Sequence, residues 1–250
     1  WDAVLIDADQ FPGARWFEGA RLNFAENLLR HRSDKPALIA RLENGARKSL
    51  TYNELFDQVS ECAAGLRQLG VVSGDRVAGF MPNIPETIVA MLATASIGAI
   101  WSSCSPDFGI NGVMDRFGQI EPKVLFGCDG YFYNGKTIDT LPRLKAICSK
   151  IESIEQLVLV PVIQDAVAID GFGNAVLFHD FLSAHRGAAL FCEQLPFNHP
   201  LYIMYSSGTT GAPKCIVHSA GGTLIQHLKE HQLHVDLKPS DRLFYFTTCG

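Results

Sequence analysis

Strand-like and helix-like segments alternate between residues 51 and 160, and this alternation constrains the fold more than any other feature of the sequence. Thr51 and Glu54 have the spacing of a helix capping box, and apolar residues then recur at helical spacing until Gly70. Further strands are predicted at 76–81, 99–103, 124–127 and 156–160, and further helices at 85–97, 112–120 and 141–149. Strands separated by helices of this length are typical of parallel β-α-β units. The predicted fold class is α/β, with mostly parallel sheets covered by helices.

Capping and turn residues predict the elements outside this region. Asn23 and Glu26 form a capping pair for a short helix, and two short strands flank a turn at residues 43–45. Beyond residue 160, the predictions are helices at 178–185 and 223–234 and strands at 201–205, 215–218 and 243–248. We therefore expect residues 1–60 to form a leader and hairpin region, and residues 61–250 to belong to one larger unit.

Composition argues against several classes of partner. The chain has 21 lysines and arginines against 26 aspartates and glutamates, and its net charge of −5 is spread along the sequence. Neither nucleic acid nor an anionic membrane is therefore the expected partner. No apolar run approaches the roughly 18 residues of a transmembrane helix. The seven cysteines lie far apart and never form C-x-x-C, which favours reduced thiols and a cytoplasmic location over a disulfide framework or a zinc site.

Histidines offer the one other candidate for metal binding. His227 and His231 share a helical face, but a third ligand at a fixed spacing is lacking. No metal site is predicted, and a polar helix face is the favoured interpretation.

A stretch rich in serine, threonine and glycine follows the predicted strand 201–205. It consists of Ser206, Ser207, Gly208, Thr209, Thr210, Gly211, Ala212, Pro213 and Lys214. Glycines let backbone N–H groups approach an anion, hydroxyl groups add further donors, and a lysine adds a charge that can contact phosphate. The stretch therefore predicts a phosphate-binding loop attached to a strand.

Two other structures compete with a phosphate-binding loop as interpretations of this stretch. The common nucleotide loop, G-x-x-x-x-G-K-[ST], does not match, because Pro213 stands five residues after Gly208 and Cys215 follows the lysine. A flexible connection between two strands stays open on composition alone.

The same stretch resembles the signature [ST]-S-G-[ST]-T-G-x-P-K of the adenylate-forming enzymes, which include acyl-CoA synthetases, luciferases and peptide-synthetase adenylation domains. All eight specified positions are matched between Ser206 and Lys214. Residues 76–86 and 97–99 are similar to the N-terminal subdomain of acyl-CoA synthetases, and residues 21–29 are similar to the leader of the acetyl-CoA synthetase branch. Within that branch, the stretches most like the subgroup that activates acetoacetate are 214–218, 227–231 and 244–250.

This resemblance implies an acid–thiol ligase that forms AMP. In the family, a carboxylate attacks the α-phosphate of Mg-ATP to give an acyl-adenylate and pyrophosphate, and the thiol of CoA then displaces AMP. Residues 206–211 would hold the ATP phosphates, and Lys214, the candidate catalytic residue, would add charge to the β- and γ-phosphates. The implied small-molecule partners are acetoacetate, ATP and CoA. Acetate or propionate as the acid, or a nucleotide-binding protein without catalysis, are the alternatives.

A second segment carries a weaker resemblance. Residues 129–136 are similar to the D-G-x-x-R-G-G-K segment that lies near the CoA nucleotide in acetyl-CoA synthetases, but Tyr133 stands in place of the arginine. Lys136 alone would then supply a cation for CoA. The alternative is a plain turn between a strand and a helix.

The resemblance also implies what a longer family member would add. Residues 1–60 would be a leader of acetyl-CoA synthetase type, and residues 61–250 an incomplete large AMP-binding domain. The magnesium ligand, the adenine-binding loop and the C-terminal lid are expected beyond Gly250. The 250 residues alone are therefore expected to be inactive. The sequence makes no prediction of oligomeric state.

Overall fold

The computed structural model describes residues 1–206 and 211–249. The strands are β1 (Ala3–Ile6), β2 (Arg15–Glu18), β3 (Arg21–Leu22), β4 (Pro36–Arg41), β5 (Arg47–Thr51), β6 (Arg76–Phe80), β7 (Ile100–Cys104), β8 (Val124–Cys128), β9 (Gly130–Tyr133), β10 (Lys136–Asp139), β11 (Gln156–Val160), β12 (Ala175–Leu177), β13 (Leu195–Pro196), β14 (Pro200–Tyr205) and β15 (Cys215–Ser219). The helices are α1 (Phe24–Leu28), α2 (Tyr52–Gln68), α3 (Pro85–Ile97), α4 (Ile110–Ile120), α5 (Leu141–Lys150), α6 (Phe178–Ser183) and α7 (Ala220–Lys229), and a π-helical turn, Glu230–His234, follows α7.

A seven-stranded sheet organises the chain, with the strand order β12-β11-β8-β6-β7-β14-β15. Its neighbouring strands are parallel except for β15, which pairs antiparallel with β14. The remaining strands form four two-stranded sheets, β1–β2, β3–β13, β4–β5 and β9–β10. The predicted α/β class with a mostly parallel sheet is confirmed.

Helices cover both faces of this sheet. Successive side chains of each central strand point to opposite faces, so each strand contributes to a core on either side. Val77, Val124 and Val158 belong to one buried core, which includes side chains of α2, α3 and α6. Ala78 and Leu125 belong to a second core, which includes side chains of α4 and α5. The nearly continuous apolar character of these strands follows from burial on both sides.

The predicted capping residues act as expected. Thr51 Oγ1 accepts from the Glu54 N–H at 3.1 Å, and Glu54 Oε2 accepts from the Thr51 N–H at 2.8 Å, so the capping box of α2 is complete. At the C-terminal end of α3, Gly98 has φ of +79°, the left-handed conformation that commonly ends a helix.

The predicted strand at 243–248 is wrong. These residues form no regular secondary structure, and Phe244, Tyr245 and Phe246 are 84%, 79% and 92% exposed. A strand needs a neighbour that takes up its backbone hydrogen bonds, and no described strand pairs with this segment. An apolar run therefore did not suffice to predict a strand or a place in the core.

The helix predicted at 223–234 begins three residues earlier than expected. Ser219 Oγ accepts from the Gly222 N–H at 3.3 Å and caps the helix at Ala220. None of the helices in the described ranges combines the length and apolar character needed to cross a bilayer.

Candidate phosphate-binding site

The candidate loop lies at the carboxyl edge of the main sheet. It begins after β14, which runs parallel to β7, and the central strands β6, β7 and β8 end at the same edge. In open α/β sheets, ligands bind in the crevice outside the carboxyl ends of the strands. The fold therefore places Ser206, the start of the predicted loop, at the edge where such a sheet binds its ligands.

The two ends of the loop lie side by side. The Ser206 N–H donates to the Lys214 carbonyl at 3.1 Å, and the Lys214 N–H donates to Ser206 Oγ at 3.3 Å. These bonds continue the antiparallel pairing of β14 and β15 one step past Tyr205 and Cys215. The exposed Lys214 thus lies where the strand pair opens into the loop.

Four of the predicted phosphate ligands, Ser207, Gly208, Thr209 and Thr210, lie outside the described residues. Gly211 is described, and its φ of +91° is a backbone conformation that side-chain-bearing residues rarely adopt. This conformation explains why the position calls for glycine.

Tyr205 supports the first end of the loop. Its hydroxyl lies 2.9 Å from Ser102 Oγ, and Ser102 also donates to the Ile203 carbonyl at 3.0 Å. The guanidinium carbon of Arg116 lies 5.6 Å from the centre of the Tyr205 ring and 4.5 Å from the centre of the Phe108 ring. Burial raises the pKa of Tyr205 well above its ordinary value, so the phenol is neutral.

Gln119 supports the second end. Its side-chain amide donates to the Pro213 carbonyl at 2.9 Å, across a separation of 94 residues. Sequence reasoning missed Ser102, Arg116 and Gln119, since each is an ordinary residue of a strand or helix and only the fold brings it to the loop.

The last described residues also lie at this edge. The Asn83 side-chain amide donates to the Thr247 carbonyl, and the Ser103 hydroxyl donates to the Cys249 carbonyl. Beside them, burial raises the pKa of the Cys104 thiol to about 12. One polar side chain that follows β6 and one within β7 are therefore hydrogen-bonded to the backbone of residues 247–249.

The segment proposed to contact CoA forms a β-hairpin. Strands β9 and β10 pair across Asn134 and Gly135, which have φ of +50° and +69°, so a turn between a strand and a helix is wrong here. The Asn-Gly pair was the sequence signal for this hairpin. Lys136 is exposed. The hairpin follows β8, and strands β6 and β7 lie between β8 and β14, the strand that leads into the candidate phosphate loop.

Asp129, which precedes this hairpin, has a structural role. Its carboxylate is fully buried and accepts from the backbone N–H groups of Val162, Ile163 and Gln164 at 2.6, 3.1 and 3.0 Å. The loop after β11 is thereby tied to the end of β8.

The candidate histidines pack against aromatic rings. The His227 ring centre lies 6.1 Å from that of Phe24 and 6.2 Å from that of His231, while His218 packs on Tyr202 at 5.1 Å. Within residues 1–206 and 211–249, no group of three or more histidines, cysteines, aspartates or glutamates is arranged to hold a metal ion.

The described residues contain a helix-covered, mostly parallel sheet, and a serine-, threonine- and glycine-rich stretch follows its strand β14. The chain belongs to the AMP-binding enzyme family, whose model matches residues 24–250.

Individual relatives within this family are acetoacetyl-CoA synthetases. The chain is 54% identical over all 250 residues to the acetoacetyl-coenzyme A synthetase of Rhizobium meliloti (strain 1021), and it spans 38% of that protein. It is 52% identical over 242 residues to the acetoacetyl-CoA synthetase of Mus musculus, with 94% of this chain and 36% of the relative covered. The solved structure of acetoacetyl-CoA synthetase from Streptomyces lividans superposes with a TM-score of 0.94 at 45% identity, covering 100% of this chain and 38% of that one.

Proposed function

We propose that the polypeptide containing this chain is an acetoacetate–CoA ligase, which converts acetoacetate, ATP and CoA to acetoacetyl-CoA, AMP and diphosphate. The observation that carries the proposal is the 54% identity to an acetoacetyl-CoA synthetase along the whole length of the chain. The chain spans only 36–38% of such relatives, so the reaction is proposed for the complete polypeptide and the 250 residues alone are expected to be inactive.

Residues 206–211 and Lys214 are proposed to bind the ATP phosphates during attack of the acetoacetate carboxylate on the α-phosphate. This attack forms the acyl–phosphate bond and breaks the bond to the β-phosphate, so negative charge develops on the departing diphosphate. Preorganised N–H and hydroxyl donors together with a lysine charge stabilise such a group without rearranging during the reaction. The paired backbone of Ser206 and Lys214 supports this role, because it brings the lysine to the start of the loop.

Magnesium is proposed to enter with the ATP phosphates, whose charge it neutralises. The described residues offer no acidic cluster that would bind it by themselves. Mg²⁺ commonly takes substrate phosphates, water and one or two carboxylates. We therefore assign it no ligand among residues 1–206 and 211–249 and expect its protein ligand beyond Gly250.

CoA is proposed to contact Lys136 near its nucleotide. The ammonium is exposed on β10 and free to meet a phosphate. In the complete polypeptide, Lys136→Glu is expected to raise the Michaelis constant for CoA several-fold and to leave that for ATP unchanged. A constant for CoA that stays at the wild-type value would remove Lys136 from the site.

The proposed domain organisation follows the same assignment. Residues 1–60 are a leader and hairpin region, residues 61–250 belong to the large AMP-binding domain, and the place of action is the cytoplasm. Residue 60 lies within helix α2, so the two regions share that helix. Limited proteolysis of the complete polypeptide, followed by mass spectrometry of the stable products, tests where they separate.

One experiment separates the candidate acids. AMP release by the complete polypeptide is measured with ATP, CoA and either acetate, propionate, acetoacetate or a longer acid. The highest kcat/KM is expected with acetoacetate. A higher value with acetate or propionate would transfer the assignment to that acid, and no AMP with any acid would reject the ligase.

A further inference from the structure

We propose that helix α4 positions the two described ends of the candidate phosphate loop, Ser206 and Lys214, and that Gln119 does so by holding the peptide unit between Pro213 and Lys214. The kinetic part of this inference rests on the proposed function, whereas the structural part does not.

The peptide unit between Pro213 and Lys214 is held at both of its polar groups. Its carbonyl accepts from Gln119 Nε2 at 2.9 Å, and its N–H, which belongs to Lys214, donates to Ser206 Oγ at 3.3 Å. Because a peptide unit is planar, two bonds on its opposite sides fix the orientation of the plane. The next peptide unit is held too, because the Lys214 carbonyl accepts from the Ser206 N–H at 3.1 Å. With both flanking peptide units held, the direction in which the Lys214 side chain leaves the backbone is restricted.

Gln119 is itself oriented by its own helix. The same side-chain nitrogen donates to the Asp115 carbonyl, one turn earlier in α4. Its two N–H groups can thus serve two carbonyls, one within the helix and one in the loop. The exposed Gln119 side chain, bonded to both carbonyls, links the position of α4 to that of Pro213.

Arg116, one turn before Gln119, contacts the other end of the loop. Its guanidinium donates to the Gly112 carbonyl at 2.8 Å, and its guanidinium carbon lies 4.5 Å from the centre of the Phe108 ring and 5.6 Å from that of Tyr205. Tyr205 directly precedes Ser206, so two residues of one helix face support both ends of the loop. A shift of α4 would move Ser206 and Lys214 together.

Gln119→Glu tests the proposal with almost no change of shape. The carboxylate has no N–H group and would face the Pro213 carbonyl with two acceptors. Gln119→Met removes the donor without adding charge. Gln58→Glu, on the distant helix α2, applies the same chemical change away from the loop and is the matched control.

Hydrogen exchange of the complete polypeptide gives the structural readout. In both Gln119 variants, the amides of Ser206 and Lys214 are expected to exchange about tenfold faster, as for the loss of one hydrogen bond, while β6 and β8 stay unchanged. Unchanged exchange at these two amides, or an equal rise in β6 and β8, would overturn the proposal.

Kinetics give the second readout. The Michaelis constant for ATP is expected to rise about tenfold in Gln119→Glu, with that for the acid unchanged, since a misplaced peptide weakens phosphate contacts. A rise confined to the acid, or an equal effect in Gln58→Glu, would contradict a positioning role. If the wild-type protein consumes no ATP with any acid, the proposed function fails while the exchange result still decides the role of Gln119.

Discussion

The Phe181 ring occupies the space that a β-carbon on Gly65 would need, with Cζ 2.5 Å from that position. Phe181 is buried against Phe126, so the ring has little freedom to retreat. Close contact between α2 and α6 therefore depends on a glycine in the middle of a helix.

Gly65→Ala is expected to lower the free energy of unfolding by about 1–3 kcal/mol through overpacking, although alanine favours helices. Gly118→Ala in α4 is the control, because its nearest neighbour would be Met114 Cε at 3.8 Å. Gly118→Ala is expected to raise the free energy of unfolding by about 0.5–1 kcal/mol. Urea unfolding measures both values, and equal stabilisation by the two variants would contradict the packing argument.

Asp129→Ala is expected to lower the free energy of unfolding by about 1–3 kcal/mol, because the backbone N–H groups of residues 162–164 lose a buried carboxylate acceptor. Asp165→Ala, at an exposed position, is expected to stay within about 0.5 kcal/mol of wild type. The same urea measurement applies. A small effect at Asp129 would mean that other acceptors replace the carboxylate.

Cysteine alkylation tests burial near the site. Cys215 is exposed, whereas burial raises the pKa values of Cys104 and Cys128 to about 12. Only the thiolate reacts readily, so at pH 8 both buried thiols are expected to react at least 100-fold more slowly than Cys215. Mass spectrometry after timed exposure to iodoacetamide gives the rates. Comparable labelling of Cys104 and Cys215 would show that the carboxyl edge is open to the reagent.

Lys214→Ala in the complete polypeptide is expected to slow exchange of pyrophosphate into ATP by about 100- to 1,000-fold, the usual effect of losing a group that stabilises developing charge. Thioester formation from added acyl-adenylate is expected to fall much less, since no diphosphate leaves in that step. Lys35→Ala, at an exposed position distant in sequence, is the control. Wild-type exchange in the Lys214 variant would exclude this lysine from adenylation.

Local signals predicted most of the fold. The capping box at Thr51, the helix at 85–97 and the strand at 156–160 each depend on neighbouring residues, and each is confirmed. The antiparallel direction of β15 and the irregular run at 243–248 depend on which strands lie alongside, which local pattern does not encode.

The residues of the candidate site likewise fall into those that local sequence revealed and those that only the fold revealed. Lys214 and the glycine-rich stretch were recognisable because their residue types are adjacent in sequence. Ser102 and Gln119 were not, because a serine in a strand and a glutamine on a helix are common, and only the tertiary fold makes them partners of Tyr205 and Pro213.

The most direct test of the central claim is exchange of labelled pyrophosphate into ATP by the complete polypeptide, with acetoacetate present and CoA absent. Formation of an acetoacetyl-adenylate predicts exchange that requires acetoacetate and is strongly reduced in Lys214→Ala. Absence of acetoacetate-dependent exchange in the wild-type protein, or release of ADP in place of AMP, would contradict the proposed function.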